Sequence, residues 1–192
     1  LTGRFASKFG KEDWGFCCGM LHDIGKYSNE FQKRICGKSN ARVDHSTAGA
    51  RVCEKMGGLY SFMSYCIAGH HAGLPDYDSS SDADSESTLL GRRRKKIYDY
   101  HKYQEEIQIP EINTLPFDPK TVKNQDFSLS MFIRMLYSCL VDADFLDTEA
   151  FMKNGDTGRI SGEEMHQLLQ KLERYTKDWM KNQDINTVNG RR

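Results

Sequence analysis

Gly19-Met20-Leu21-His22-Asp23-Ile24-Gly25-Lys26 is the stretch on which the reading of this chain turns. An apolar segment runs into an adjacent imidazole and carboxylate, and a lysine follows three residues after the carboxylate. The later residues able to carry chemistry are His45, the pair His70-His71, and Asp142 or Asp144. They read as partners that the fold must bring to His22-Asp23. Around this stretch the pattern is helical. Alternating segments joined by a hairpin dipeptide are absent, whereas apolar residues recur at three- and four-residue spacing. The fold class expected is all-α, a helical bundle with a metal centre between core helices.

Working outward, the spacing predicts helices over 1–9 and 13–23, the second ending at His22-Asp23 with Gly25 as its stop. A short helix over 29–36 should begin at Ser28 or Asn29 and end at Gly37. Further helices are expected from Asp44 or Ser46 to Met56, from Leu59 to His71, from Thr88 to Ile107, and over 127–150. In the last of these Phe132, Met135, Leu136, Cys139, Ala143 and Leu146 repeat at helical spacing, which makes it the expected central core helix. Ser161-Gly162-Glu163-Glu164 has capping-box spacing and should open a final helix to Lys181, with Met165, Leu168, Leu169, Leu172 and Trp179 on its apolar side. The acidic, serine-rich segment from Asp76 to Ser87 reads as a mobile loop. Lys153–Ser161 superficially resembles a calcium loop, but Lys153 would stand at the first ligand position and no acid at the next two, so that reading is rejected.

Composition narrows the function classes. With 27 basic and 27 acidic residues in 192 the formal net charge is zero, so a purely electrostatic nucleic-acid binder is disfavoured and any such site needs a local patch or bound metal. The run Arg92-Arg93-Arg94-Lys95-Lys96 is the best candidate for a DNA-backbone patch, against the plainer reading of a solvated helix face. Tyr98, Tyr100 and Tyr103 could stack on bases, with packing as their alternative. The six cysteines, at 17, 18, 36, 53, 66 and 139, lack paired CxxC spacing and are expected to be reduced core residues of a cytoplasmic protein. No run of about 18 apolar residues is present, so no membrane span is expected, and no secretory leader is visible. Leu1 rather than Met opens the chain, which is therefore expected to begin inside a longer protein.

Imidazole and carboxylate together suit Mn, Fe, Co, Ni or Zn, while an all-oxygen site would suggest Mg or Ca. Neighbouring side chains on a helix point about 100° apart. His22-Asp23 and His70-His71 are thus expected to grip two metals, or one metal and its substrate, rather than to chelate from one side. Asp23 can bridge such a pair through its two oxygens. Bound metal would lower the pKa of water and neutralise a phosphate. No Gly-x-Ser-x-Gly elbow and no P-loop competes.

Leu21-His22-Asp23-Ile24-Gly25-Lys26, Val43-Asp44-His45-Ser46-Thr47-Ala48-Gly49-Ala50 and Ala68-Gly69-His70-His71-Ala72-Gly73-Leu74-Pro75 together resemble the HD superfamily. More narrowly they resemble the HD nuclease domain of the CRISPR-associated type I nuclease-helicase, and Leu136–Asp144 is similar to that family's last metal-binding helix. The resemblance spans about 20 to 150. It implies an HD-domain helical bundle that cuts single-stranded DNA with one or two divalent transition metals (Mn, Co, Ni or Fe, with Mg a further candidate). By motif, His22, Asp23, His45, His70 and His71 would be metal ligands, and Asp23 and Lys26 catalytic, with Lys26 holding the scissile phosphate or its developing charge. The family pattern favours Asp144 over Asp142 as the last ligand, although the apolar stripe does not choose between them. Arg92, Arg93 and Arg94 would contact DNA. The family's earlier metal-binding histidine has no counterpart before His22, so it is expected upstream of Leu1. The expected organisation is a nuclease domain over 1–181 and a polar tail, 182–192, that starts the connection to a helicase. Implied partners are single-stranded DNA, a helicase domain or subunit, and a CRISPR surveillance complex.

Two other classes compete. An HD phosphohydrolase acting on nucleotides or cyclic dinucleotides would use the same ligands, though Ala72 stands where cyclic-dinucleotide relatives carry glutamate. A non-catalytic module could keep the ligands only to hold its fold.

Overall fold

Residues 14, 17, 18 and 21 are Trp, Cys, Cys and Leu, the spacing of one helix face, and in the computed structural model all four are fully buried on α2 (Glu12–Leu21). The structure describes residues 1–77, 81, 88–155, 162 and 164–181, in two units, Leu1–Gly155 and Asp156–Arg192. The described residues are helical and contain no strand.

In the first unit α1 (Thr2–Ala6) runs through a 3-10 turn, Ser7–Phe9, into α2. Glu12 and Asp13 in the first turn of α2 complement the positive end of its dipole. After a 3-10 turn, Ile24–Tyr27, α3 (Asn29–Ile35) starts where the Ser28 hydroxyl accepts from the Phe31 N–H at 3.4 Å. α4 (Ser46–Met56) and α5 (Tyr60–Gly69) form a helical hairpin. Gly57 and Gly58 turn it with φ of 70° and 55°, values that favour glycine. α6 (Leu89–Arg94) is capped by Thr88, whose Oγ1 accepts from the Gly91 N–H at 3.2 Å. The 28-residue α7 (Gln125–Met152) lies against α1, α2 and α5. It buries Phe132, Leu136, Leu140 and Ala143. Leu136 and Leu140 lose all exposure, each worth ~1.5–3 kcal/mol of apolar burial. Phe132 meets Trp14 edge-on, centroids 4.8 Å apart, and the Trp14 indole N–H donates to the Thr114 carbonyl at 3.0 Å. The second unit holds α8 (Met165–Lys181), with Met165, Leu168, Leu169 and Leu172 at helical spacing.

Several expectations are corrected. The helix expected from Thr88 to Ile107 stops at Arg94, and only a 3-10 turn, His101–Glu105, follows. Lys95 turns extended because its ammonium reaches the Asp44 carboxylate at 2.7 Å and its carbonyl accepts from the Arg51 guanidinium. In α7 the buried stripe passes through Leu140, while Met135 is exposed. Cys17, Cys18, Cys53 and Cys66 are core residues as expected, but Cys36, at the open end of α3, is exposed. Gly25 is not a left-handed stop. It is small because the backbone of His45 packs directly on it. No described helix is long and apolar enough to cross a membrane. The tail 182–192, Ser161 and Glu163 of the capping box, most of the 76–87 loop and 156–161 of the rejected calcium loop lie outside the described residues.

Candidate metal centre

Three helix ends and one helix face converge on Asp23. His22 ends α2, Asp23 opens the next turn, His45 caps the start of α4, His70 and His71 follow α5, and Asp144 projects from α7. Their ligand atoms form two groups, Asp23 with His45, His70 and His71, and His22 with Asp23 and Asp144, each within 4.8 Å. Asp23 belongs to both. Its Oδ1 lies 3.5 Å from His45 Nε2 and 3.8 Å from His70 Nε2. Its Oδ2 lies 3.2 Å from His22 Nε2 and 2.5 Å from Lys26 Nζ. Asp144 Oδ1 stands 3.8 Å from His22 Nε2, and the Nε2 atoms of His45 and His71 are 2.7 Å apart.

Local backbone explains the convergence and overturns one expectation. Adjacent residues on a continuous helix would point about 100° apart, but both helices end inside the motif. α2 stops at Leu21, and Asp23, at φ −110°, turns back toward the side of His22. α5 stops at Gly69, so the His71 ring folds over His70 with centroids 3.9 Å apart. Neighbours in sequence therefore serve the same group of ligand atoms.

The imidazoles are also oriented. His22 Nδ1 donates to the Gly19 carbonyl and His70 Nδ1 to the Ile67 carbonyl, both at 2.7 Å. A carbonyl only accepts, so Nδ1 carries a proton in each ring and Nε2 faces the centre, as a free lone pair in the neutral His70. Burial pulls the His22 pKa down, but hydrogen bonds to Asp144 and Asp23 outweigh it and push the pKa up to about 10. Burial alone would raise Asp23, yet His22 and Lys26 hold its carboxyl well below the usual carboxylate range. The His22 hydrogen bond likewise depresses Asp144. Burial lowers His45 and takes His70 down to about 4.

Two buried atoms at the heart of this cluster, Asp23 Oδ1 and His70 Nε2, have no hydrogen-bond partner among the described residues. Unpaired buried polar groups of this kind are costly. A carboxylate oxygen and an imidazole lone pair left open toward each other, flanked by two further imidazole nitrogens, fit a borderline or transition-metal cation. The residues present thus suit a divalent metal.

Of the residues singled out in the sequence, His22, Asp23, Lys26, His45, His70, His71 and Asp144 come together. Asp142 is exposed on another side of α7. Arg92 lines a cleft with His45 and His71, whereas the Arg93 guanidinium pairs with Glu54 at 3.0 Å. Two clefts border the centre. One is lined by Arg34, Arg42 and Lys96 as well as Arg92, the other by Asp147 and Thr148 beside Asp144. Asp147 could have been found, being one helical turn beyond Asp144. Arg34, in the last turn of α3, and Arg42, in the loop before α4, could not, since the packing of separate segments brings them in.

A helical bundle whose helix ends deliver histidines and a shared aspartate to one buried centre defines an HD-type, metal-dependent phosphohydrolase. The chain belongs to the family described as Cas3, HD domain, which it matches over residues 6–141. It is accordingly an HD nuclease of CRISPR systems that uses divalent metal. No curated protein and no solved structure matches the chain significantly.

Proposed function

We propose that this chain cuts single-stranded DNA as the nuclease part of a CRISPR interference nuclease-helicase. His22, Asp23, His45, His70, His71 and Asp144 would hold one or two divalent transition metals. The observation that carries the reading is the division of Asp23, one oxygen toward His45 and His70 and the other toward His22. Bound metal would supply hydroxide near neutral pH and neutralise charge on the phosphate. Asp23 bridges the two ligand groups. Lys26, paired with Asp23 at the mouth of the second cleft, stabilises charge developing on the scissile phosphate. Clefts on two sides favour a polymer over a nucleotide, which a closed pocket would suit better. In this reading 1–181 form the nuclease domain, 182–192 lead toward a helicase, and the protein works in the cytoplasm with a surveillance complex.

Purified protein is expected to cleave circular single-stranded DNA with Mn, Co or Ni and to leave it intact in chelator. Intact circles under every one of these metals would refute the reading.

The two halves should load metal with different pH dependence. His22, with its pKa pushed up to about 10, is an imidazolium at neutral pH, so a cation there must displace a proton. Affinity at the His22-Asp144 half should rise about tenfold per pH unit between about pH 7 and 9. His70, lowered to about 4, is already neutral, and binding beside it should change little over that range. Calorimetric Mn titrations at several pH values test this, and equal slopes for both halves would contradict it.

A further inference from the structure

The metal centre has a cleft on each side, and the two differ in charge. The cleft that shares His45 and His71 with the centre encloses about 770 Å³ and, among the described residues, presents five cations, Arg34, Arg42, Arg92, Lys95 and Lys96, against the carboxylate of Asp44. That volume lies within the ~300–1,000 Å³ of ligand sites, so it accommodates more than one phosphate group. The cleft on the His22 side, about 320 Å³, sets Asp23, Asp144 and Asp147 against Lys26 among the described residues. Away from the metals, an anionic strand is attracted to the first and repelled by the second.

The cations of the first cleft also divide. Lys95 is held by Asp44 at 2.7 Å, and Arg92 donates to the Ser46 hydroxyl at 3.2 Å, so these two shape the wall. Asp44 is itself fixed, accepting from the Thr47 N–H at 3.1 Å and hydroxyl at 2.8 Å. Arg34, Arg42 and Lys96 are exposed and make no side-chain hydrogen bond or ion pair with a described residue. Tyr98, 49% exposed, lines the same cleft. Unengaged cations beside an open aromatic face are the elements from which single-strand sites are built, the cations for phosphates and the ring for a base.

We propose that the cleft formed by Arg34, Arg42, Lys96 and Tyr98 seats the DNA strand on one side of the scissile phosphate and feeds it to the His45-His71 side of the centre. This rests on the nuclease reading above. It assigns strand binding chiefly to residues outside the Arg92-Arg93-Arg94 run, of which Arg93 is occupied by Glu54.

The test compares wild type with a variant carrying Arg34→Gln, Arg42→Gln and Lys96→Gln, and with a control carrying Lys8→Gln, Lys120→Gln and Lys123→Gln. The control changes net charge equally but away from both clefts. Anisotropy of a short fluorescent oligothymidylate in chelator reads binding without cleavage. The cleft variant should bind roughly tenfold or more weakly, with its salt slope reduced by about 2, since each lost single-strand phosphate contact removes ~0.7. In Mn its KM for DNA should rise with kcat largely kept. Its Mn affinity should match wild type, which shows the centre intact, and Tyr98→Ala alone should weaken binding about tenfold. Equal binding by wild type and cleft variant, or equal weakening in the control, overturns the proposal. If that happens while wild type still cuts circular DNA, only the cleft assignment falls. If wild type neither binds nor cuts, the nuclease reading falls with it.

Discussion

Asp23→Asn is expected to lower cleavage of circular single-stranded DNA by roughly 10³-fold or more while the protein stays folded. The substitution keeps shape and removes one negative charge. That charge is the only one common to both ligand groups. Without it the His22 imidazolium and the Lys26 ammonium lose the carboxylate oxygen that both approach, at 3.2 and 2.5 Å. His45 and His70 lose the oxygen facing their Nε2 atoms. An amide presents one oxygen and one NH₂, so it cannot offer an acceptor to both sides. Metal should be lost from both groups together, which elemental analysis of the purified variant measures. Activity within tenfold of wild type, or retention of full metal content, would remove Asp23 from the role of bridge.

The second large effect is expected from a methyl group. Gly25→Ala would place a Cβ against the backbone of His45, overlapping its carbonyl oxygen and standing 2.5 Å from its Cα and 2.7 Å from its carbonyl carbon. Backbone cannot swing aside as a long side chain can, so either the turn after α2 or the start of α4 must shift. Such overpacking costs about 3 kcal/mol, a fall in Tm of roughly 6–12 °C for a chain of this size. Because the displaced segment carries His45, turnover should fall about 10²-fold even at temperatures where the variant is folded. Gly49→Ala meets the Leu21 carbonyl in the same way, next to His22, and should be comparably unstable. Calorimetric melting with cleavage measured well below Tm separates the two consequences. A Tm within about 2 °C of wild type would show that the contact between the Gly25 turn and His45 yields easily.

Much of this was legible in the sequence because helices announce themselves by period. Trp14, Cys17, Cys18 and Leu21 mark the buried face of α2, and Gly57-Gly58 marks the turn of the α4-α5 hairpin. The chemistry was legible because the residue types are rare in combination and stand in order. What period could not show is where a helix stops inside a motif. The expected helices ended at Asp23 and at His71, which put both members of each pair on a last helical turn, where neighbours diverge. The structure ends α2 at Leu21 and α5 at Gly69, and the neighbours meet. The 88–107 segment failed for a related reason. The helix stops where Lys95 pairs with Asp44, and the residues that follow the cationic run, Ile97, Tyr98, Asp99 and Tyr100, are weaker helix formers than arginine and lysine.

The sequence by itself determined the helical class, the order of the elements and the set of side chains able to hold a metal, since local pattern and side-chain chemistry decide those. The family pattern favoured Asp144 over Asp142, but the apolar stripe did not choose between them, and it is the packing of α7 that sets Asp144 3.8 Å from His22 and leaves Asp142 exposed. Tertiary structure also decided that the cations beside His45 and His71 include Arg34 and Arg42, which no spacing rule connects to Lys96. Distances between segments far apart in the chain are set by packing, and packing has no period.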